Sequence, residues 1–179
     1  MLRRFQADTQ RVTGVAASPD GDTVYYASEG TLWAQPVSGG EPPKIGAGFD
    51  LTPDPSGKTL YVMRAGTTGY DLFRMPAGGG KTEKIDLPAG YVLPGIGLSP
   101  AAVNRDGRIL LPVLAPDEFF YRTAILDPAH HTMALVPAPA HMVVSSAGWA
   151  ADGSIVAQII RWSSTLWRYR MLSTNQTRR

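Results

Sequence analysis

The chain has 179 residues, 44% of them hydrophobic and 18% charged, with 19 glycines, 15 prolines and no cysteine. That length suffices for one domain with a substantial core, the glycine and proline content suits many turns rather than long helices, and the missing cysteine excludes a disulfide framework and cysteine-based metal or redox chemistry. The net charge of +2 is small but unevenly spread: no acid follows Asp152, whereas Arg161, Arg168, Arg170, Arg178 and Arg179 do, and Arg3, Arg4 and Arg11 outweigh Asp8 at the other end.

In chain order, the sequence repeats one pattern four times. The basic start Met1-Leu2-Arg3-Arg4 runs into Phe5-Gln6-Ala7-Asp8 and lacks the apolar stretch of a signal peptide; Leu2 to Phe5 reads instead as a spare outer strand. In the first unit Thr13 to Ala17 forms an inner strand, the turn Ser18-Pro19-Asp20-Gly21 leads to a second strand over Thr23 to Ala27, and Thr31 to Gln35 forms a third. After Ser38-Gly39-Gly40 a short outer strand runs through Lys44-Ile45, where Pro42 and Pro43 fit an edge because proline lacks the donor a central strand needs. The second unit repeats this, with Asp54-Pro55-Ser56-Gly57, then Thr59 to Met63, Tyr70 to Met75 and Lys81 to Ile85. The third is looser: Asn104-Arg105-Asp106-Gly107, Ile109 to Val113, Arg122 to Leu126, a turn at Asp127 to His130, and Thr132 to Val136. In the fourth, Ala147-Gly148-Trp149 precedes Asp152-Gly153, with strands over Ser154 to Ile160 and Thr165 to Met171.

The turn glycines Gly21, Gly57, Gly107 and Gly153 recur at intervals of 36, 50 and 46 residues, against the roughly 40–45 of a four-stranded propeller blade. A unit of this size gains a core only by stacking on its neighbours. The expected fold is therefore all-β, a β-propeller of four four-stranded blades. One domain over 1–172 is expected, with blades at 11–46, 47–87, 92–137 and 143–172, the last completed by 2–6, and a polar tail at 173–179. The spare strand at one end and the missing one at the other fit either a ring closed by the N-terminal strand or an open fragment of a larger propeller.

The runs Ser18-Pro19-Asp20-Gly21-Asp22-Thr23-Val24-Tyr25-Tyr26 and Gly30-Thr31-Leu32-Trp33 through Gly39-Gly40-Glu41-Pro42 resemble the TolB-type, WD-like bacterial β-propeller repeat. The likeness is strongest in the first two units. It implies a fold rather than an activity, and rings of this family commonly have more than four blades. Such propellers serve as interaction or ligand-sensing modules, or accompany catalytic domains.

Motifs for chemistry are few. Gly78-Gly79-Gly80-Lys81-Thr82 lacks the earlier glycine of a phosphate-binding loop and is followed by a strand rather than a helix, so a hairpin turn is expected. No Gly-x-Ser-x-Gly elbow is present. His130 and His131 fall in a turn, and with His141 they form no metal-ligand spacing. Asp20, Asp22, Asp54, Asp106 and Asp152 sit on hairpin turns, where the carboxylate caps its own backbone without calcium. Tyr25, Tyr26, Trp33, Tyr61, Phe73 and Trp167 recur at matching strand positions and are expected to pack between blades, Trp33 and Trp167 as buried equivalents.

What remains is loop surface. The rim formed by the second-to-third-strand loops and the lead-in to each blade carries Glu29, Asp50, Tyr91, Phe119, Phe120, His141 and Trp162, with two acids beside three aromatics in Ala115-Pro116-Asp117-Glu118-Phe119-Phe120-Tyr121. The expected binding rim is Tyr91, Phe119, Phe120, His141 and Trp162, taking a protein or small ligand. No catalytic, cofactor or metal residue is assigned. The expected function is a noncatalytic β-propeller scaffold for protein interaction or ligand sensing. The alternative is an accessory or gating propeller of a larger enzyme such as a prolyl-oligopeptidase-like hydrolase. The basic closing blade reads as a solvated edge, with nucleic acid or an anionic surface as the lesser alternative. No window approaches the ~18 apolar residues of a membrane span, so a soluble chain is expected, cytoplasmic if it stands alone and periplasmic or extracellular if it belongs to a longer parent.

Overall fold

The computed structural model describes residues 11–139, 142–161, 163 and 165–168. Among them the chain is all-β, in four antiparallel sheets that follow one another along the sequence. The first holds β1 (Val12–Ala17), β2 (Thr23–Ser28), β3 (Thr31–Pro36) and β4 (Lys44–Ala47) in that order, and the second holds β5 (Asp50–Pro53), β6 (Thr59–Ala65), β7 (Tyr70–Pro76) and β8 (Glu83–Ile85). The third pairs β9 (Ile109–Val113), β10 (Arg122–Asp127) and β11 (Thr132–Leu135), and the fourth pairs β12 (Met142–Trp149) with β13 (Ile155–Arg161). In the third sheet the inner strand shrinks to a bridge between Val103 and Ile109, extended by the Leu110 amide donating to the Ala102 carbonyl at 2.8 Å.

The repeated turn has a repeated physical cause. Gly21, Gly57, Gly107 and Gly153 all take positive φ, from +71° to +84°, a region open to glycine and strained for residues with a Cβ. A short polar side chain beside each one gathers the turn amides. Ser18 Oγ accepts from the Thr23 amide at 2.9 Å, Asp54 Oδ1 from those of Lys58 and Thr59 at 3.0 Å each, Asn104 Oδ1 from Arg108 at 2.9 Å, and Asp152 Oδ1 from Ser154 at 2.9 Å. These oxygens are committed to the turn. The glycine run at 78–80 likewise turns the chain, with the Gly79 amide donating to the Pro76 carbonyl at 2.9 Å and β8 following.

Alternation along each strand sends its two faces into two different seams. On β6, Leu60 and Val62 join Ala16, Tyr25, Ala27, Leu32 and Ile45 of the first sheet. Tyr61 and Met63, pointing the other way, join Ile109, Leu111, Val113 and Leu126 of the third. On β9, Leu110 turns from that cluster toward Val144, Ala147 and Trp149 of the fourth sheet. Three seams thus bind the four sheets in chain order, which is the construction of a propeller. No seam joins the first and fourth sheets among the described residues, so these residues form an open arc.

Pro112, inside β9, explains itself in the same ladder. The amides of Leu110 and Leu114 face the inner edge, donating to Ala102 and to Val92. Pro112 lies between them on that edge, where no acceptor is paired and a donor is not missed.

Several expectations change. Of the aromatic set, Tyr25 and Tyr61 are buried, whereas Tyr26 and Trp33 are half-buried and stacked with ring centroids 6.4 Å apart. Phe73 is half-buried beneath the Arg64 guanidinium, 4.7 Å from its centroid. In the Leu-aromatic pair it is Leu32 or Leu72 that enters the core, because the two residues point to opposite faces. The fourth unit departs further. Residues 165–168 are not in a strand, Leu166 is fully exposed and Trp167 is 73% exposed, so Trp167 is not a buried equivalent of Trp33. The pattern of a third strand is spelled there, but no described strand pairs with the free edge of β13, and without that ladder the pair has no face to bury. The proposed pairing of Leu2 to Phe5, the closing blade's 2–6 segment and the tail at 173–179 lie outside the described residues.

Candidate binding rim

Antiparallel order places the β6–β7 hairpin, the β9–β10 loop and the lead-ins to β5 and β12 at one end of the sheets. At that end the backbone of 90–92 runs beside 114–116. Val92 and Leu114 exchange hydrogen bonds at 3.0 and 2.9 Å, and a Cβ on Gly90 would meet Pro116 at 3.6 Å.

This pairing separates two cavities. The larger, about 500 Å³, lies between the β9–β10 loop and the start of β12 and is lined by Glu118, Phe119, Phe120, Tyr121, Met142 and Val143 among others. Phe119 is 90% exposed and meets Phe120 edge to face, with centroids 5.2 Å apart at 90°, a favoured aromatic geometry. The base of the loop is tied by Arg122 Nη1 to Glu118 Oε1 at 3.4 Å. The smaller cavity, about 200 Å³, lies over the β6–β7 hairpin and holds Tyr91 with Thr67, Thr68, Tyr70, Asp71 and Lys84. There Lys84 Nζ stands 3.0 Å from Asp71 Oδ1.

Of the five expected rim residues, the structure brings Phe119 and Phe120 together and puts Tyr91 in the neighbouring cavity, half-buried against the second seam. His141 and Trp162 lie outside the described residues, although their chain neighbours Met142 and Ser163 line the larger cavity. Phe49 and Tyr70 were not singled out by sequence. Their rings pack 4.9 Å apart where the chain leads into the second sheet, and the only hint was an aromatic immediately before an inner strand.

Asp50, expected on the rim, is instead 3% exposed at the first position of β5. Its Oδ1 accepts from the Leu51 amide at 2.8 Å and its Oδ2 from the Leu98 amide. The carboxylate fills the space left by two glycines: a Cβ on Gly14 would collide with its Oδ1, and one on Gly97 with its Oδ2. Burial pushes its pKa up to about 6, against the pull of the two amides. The residue ties the second sheet to the segment leading into the third, and its carboxylate is shut off from the rim surface. Its burial cannot be read locally, because the two glycines that make room for it are 36 and 47 positions away.

The other expected candidates behave as turn chemistry. His130 Nδ1 lies 2.9 Å from Asp127 Oδ2 on an exposed turn, and this contact holds the Asp127 carboxyl below its usual range. Among the described residues no three His, Cys, Asp or Glu side chains are grouped to hold a metal ion, and no helix is long and apolar enough to cross a membrane.

No protein-family model matches the sequence, and no curated protein matches it. The fold is similar to solved propellers. A candidate TolB protein of Agrobacterium tumefaciens aligns with a TM-score of 0.62 at 16% identity, covering 84% of this chain and 58% of that one. A chain of a nidogen/laminin complex aligns at 0.59 and 15%, covering 82% and 56%. TolB of Acinetobacter baumannii aligns at 0.60 and 15%, covering 82% and 37%. The chain thus spans little more than half the length of these structures, or less, and at such identity the likeness is one of fold alone.

Proposed function

We propose that this chain is a noncatalytic propeller scaffold that binds a protein or small ligand at the rim holding Phe119, Phe120 and Tyr91. The observation that carries the reading is the Phe119–Phe120 pair: two large rings held edge to face on a long loop, 90% and 44% exposed, beside a cavity of about 500 Å³. Turning the chain from β9 to β10 does not require them, and exposed aromatics on a rigid scaffold are typical anchors of recognition. A cavity of this size is in the range that takes a ligand or an inserted side chain. The likeness to a chain crystallised in a nidogen/laminin complex supports the protein-interaction side of the reading.

The test replaces Phe119 and Phe120 together by serine. Because both rings are exposed, the melting temperature should stay within about 2 °C of the parent's, while capture of interacting proteins by the immobilised chain should fall at least tenfold. Retained capture with an intact fold rejects the rim. A large fall in melting temperature with capture unchanged makes the two rings packing residues of the third sheet.

A further inference from the structure

The three internal seams repeat one recipe, and each end of the arc presents half of a fourth. On the first sheet, Ala16, Tyr25, Ala27 and Leu32 enter the seam with the second, so alternation turns Val15, Val24, Tyr26 and Trp33 to the opposite face. Val15 is 53% exposed there, beside the Tyr26–Trp33 stack. Val24 and Tyr26 follow Gly21 by the same steps as Leu60 and Val62 follow Gly57, and Leu60 and Val62 are fully covered by the preceding sheet. The first sheet's free face therefore carries apolar residues at positions that the second sheet buries.

The other end mirrors this. Ile155 packs in the seam with the third sheet, so alternation turns Val156, 67% exposed, to the opposite face. One end thus has a face that expects a preceding sheet, and the other a face that expects a following one.

Charge favours joining these unlike ends over pairing like with like. Residues 11–47 carry Asp20, Asp22, Glu29 and Glu41 against Arg11 and Lys44, whereas residues 142–168 carry Arg161 and Arg168 against Asp152. We propose that a second copy of this chain covers these faces, the fourth sheet of one copy packing on the first sheet of the next in a head-to-tail contact built like the internal seams. Such a heterologous contact closes into a ring or extends, according to the rotation it imposes.

The experiment is light scattering coupled to size exclusion on the full chain at about 100 μM, above the Kd expected of a modest micromolar contact. The wild type should run as two or more copies. V15D and V156D each spoil one end, so each alone should be monomeric, with circular dichroism unchanged; V15S and V156S serve if an aspartate disturbs folding. Mixed in equal amounts, the two variants should recover a dimer through the one intact pair of ends. A monomeric wild type overturns the proposal and points to cover from the same chain. Single variants that still assemble, or a mixture that stays monomeric, overturn the head-to-tail contact.

Discussion

Among the described residues, Asp50 is a buried carboxyl whose ionisation is coupled to folding. It titrates near pH 3.8 in the unfolded chain and near 6 in the fold, so between those values the native state holds the extra proton. The contribution of Asp50 to stability is then full below about pH 4 and is lost as pH rises through 6, by about 3 kcal/mol at 1.36 kcal/mol per pH unit. Urea unfolding from pH 4 to 7.5 should show this fall in the wild type and not in Asp50→Asn. Taking the difference between the two proteins isolates the contribution of Asp50. The depressed carboxyls of Asp20, Glu83, Asp127 and Asp152 act oppositely. They contribute stability above their unfolded values of 3.8 for aspartate and 4.5 for glutamate and lose it as pH falls below them, at or beyond the acid edge of this window.

At the scale of the element, β3 shows that neighbours in sequence have unequal weight. Leu32 is fully buried in the first seam, while the half-buried Trp33 stacks on Tyr26 and keeps its indole Nε1 buried without a hydrogen-bond partner. An unmet buried donor costs about 1–3 kcal/mol, which offsets part of what the ring contributes by packing. Leu32→Ala should therefore destabilise by about 2–5 kcal/mol, whereas Trp33→Phe, which keeps a ring and removes the orphan donor, should change stability by less than about 1 kcal/mol. Denaturant midpoints of the two variants compare them directly. A Trp33→Phe loss as large as that of Leu32→Ala would mean that the indole has a partner in solution.

At the scale of the molecule, stability should divide by seam, because each sheet buries its faces only against its neighbours. Leu32 and Leu60 share the first seam, whereas Leu111 lies in the second. The losses in Leu60→Ala and Leu111→Ala should add to within about 0.5 kcal/mol, while Leu32→Ala with Leu60→Ala should deviate by more, since the two truncations open one cavity. Additivity in both pairs, measured by double-mutant cycles, would mean that the seams do not behave as units.

Apart from β5, which the sequence alone does not mark as a strand, the strands of the first two units were legible in the sequence to within about two residues at each end, because alternation and the Asp-Gly turn are local signals. Gly21 and Gly57 need only their own φ, and Thr23 to Ala27 needs only its own pattern. The Phe119–Phe120 loop was legible for a related reason, since surplus length and aromatic content can be seen without knowing what surrounds them. Partners distant in the chain decided the rest. Asp50 reads as a loop carboxylate until Gly14 and Gly97 close around it. Leu166-Trp167 repeats the spelling of Leu32-Trp33, yet strand pairing is a property of two segments, and no described strand lies beside it. Tyr91 and Phe119 share a rim in the sequence but occupy different cavities, because Val92 and Leu114 pair between them. The sequence by itself determined the repeat, its turns and the alternation that makes two-faced sheets; the tertiary structure decided which faces meet, because burial depends on the neighbour as well as on the residue.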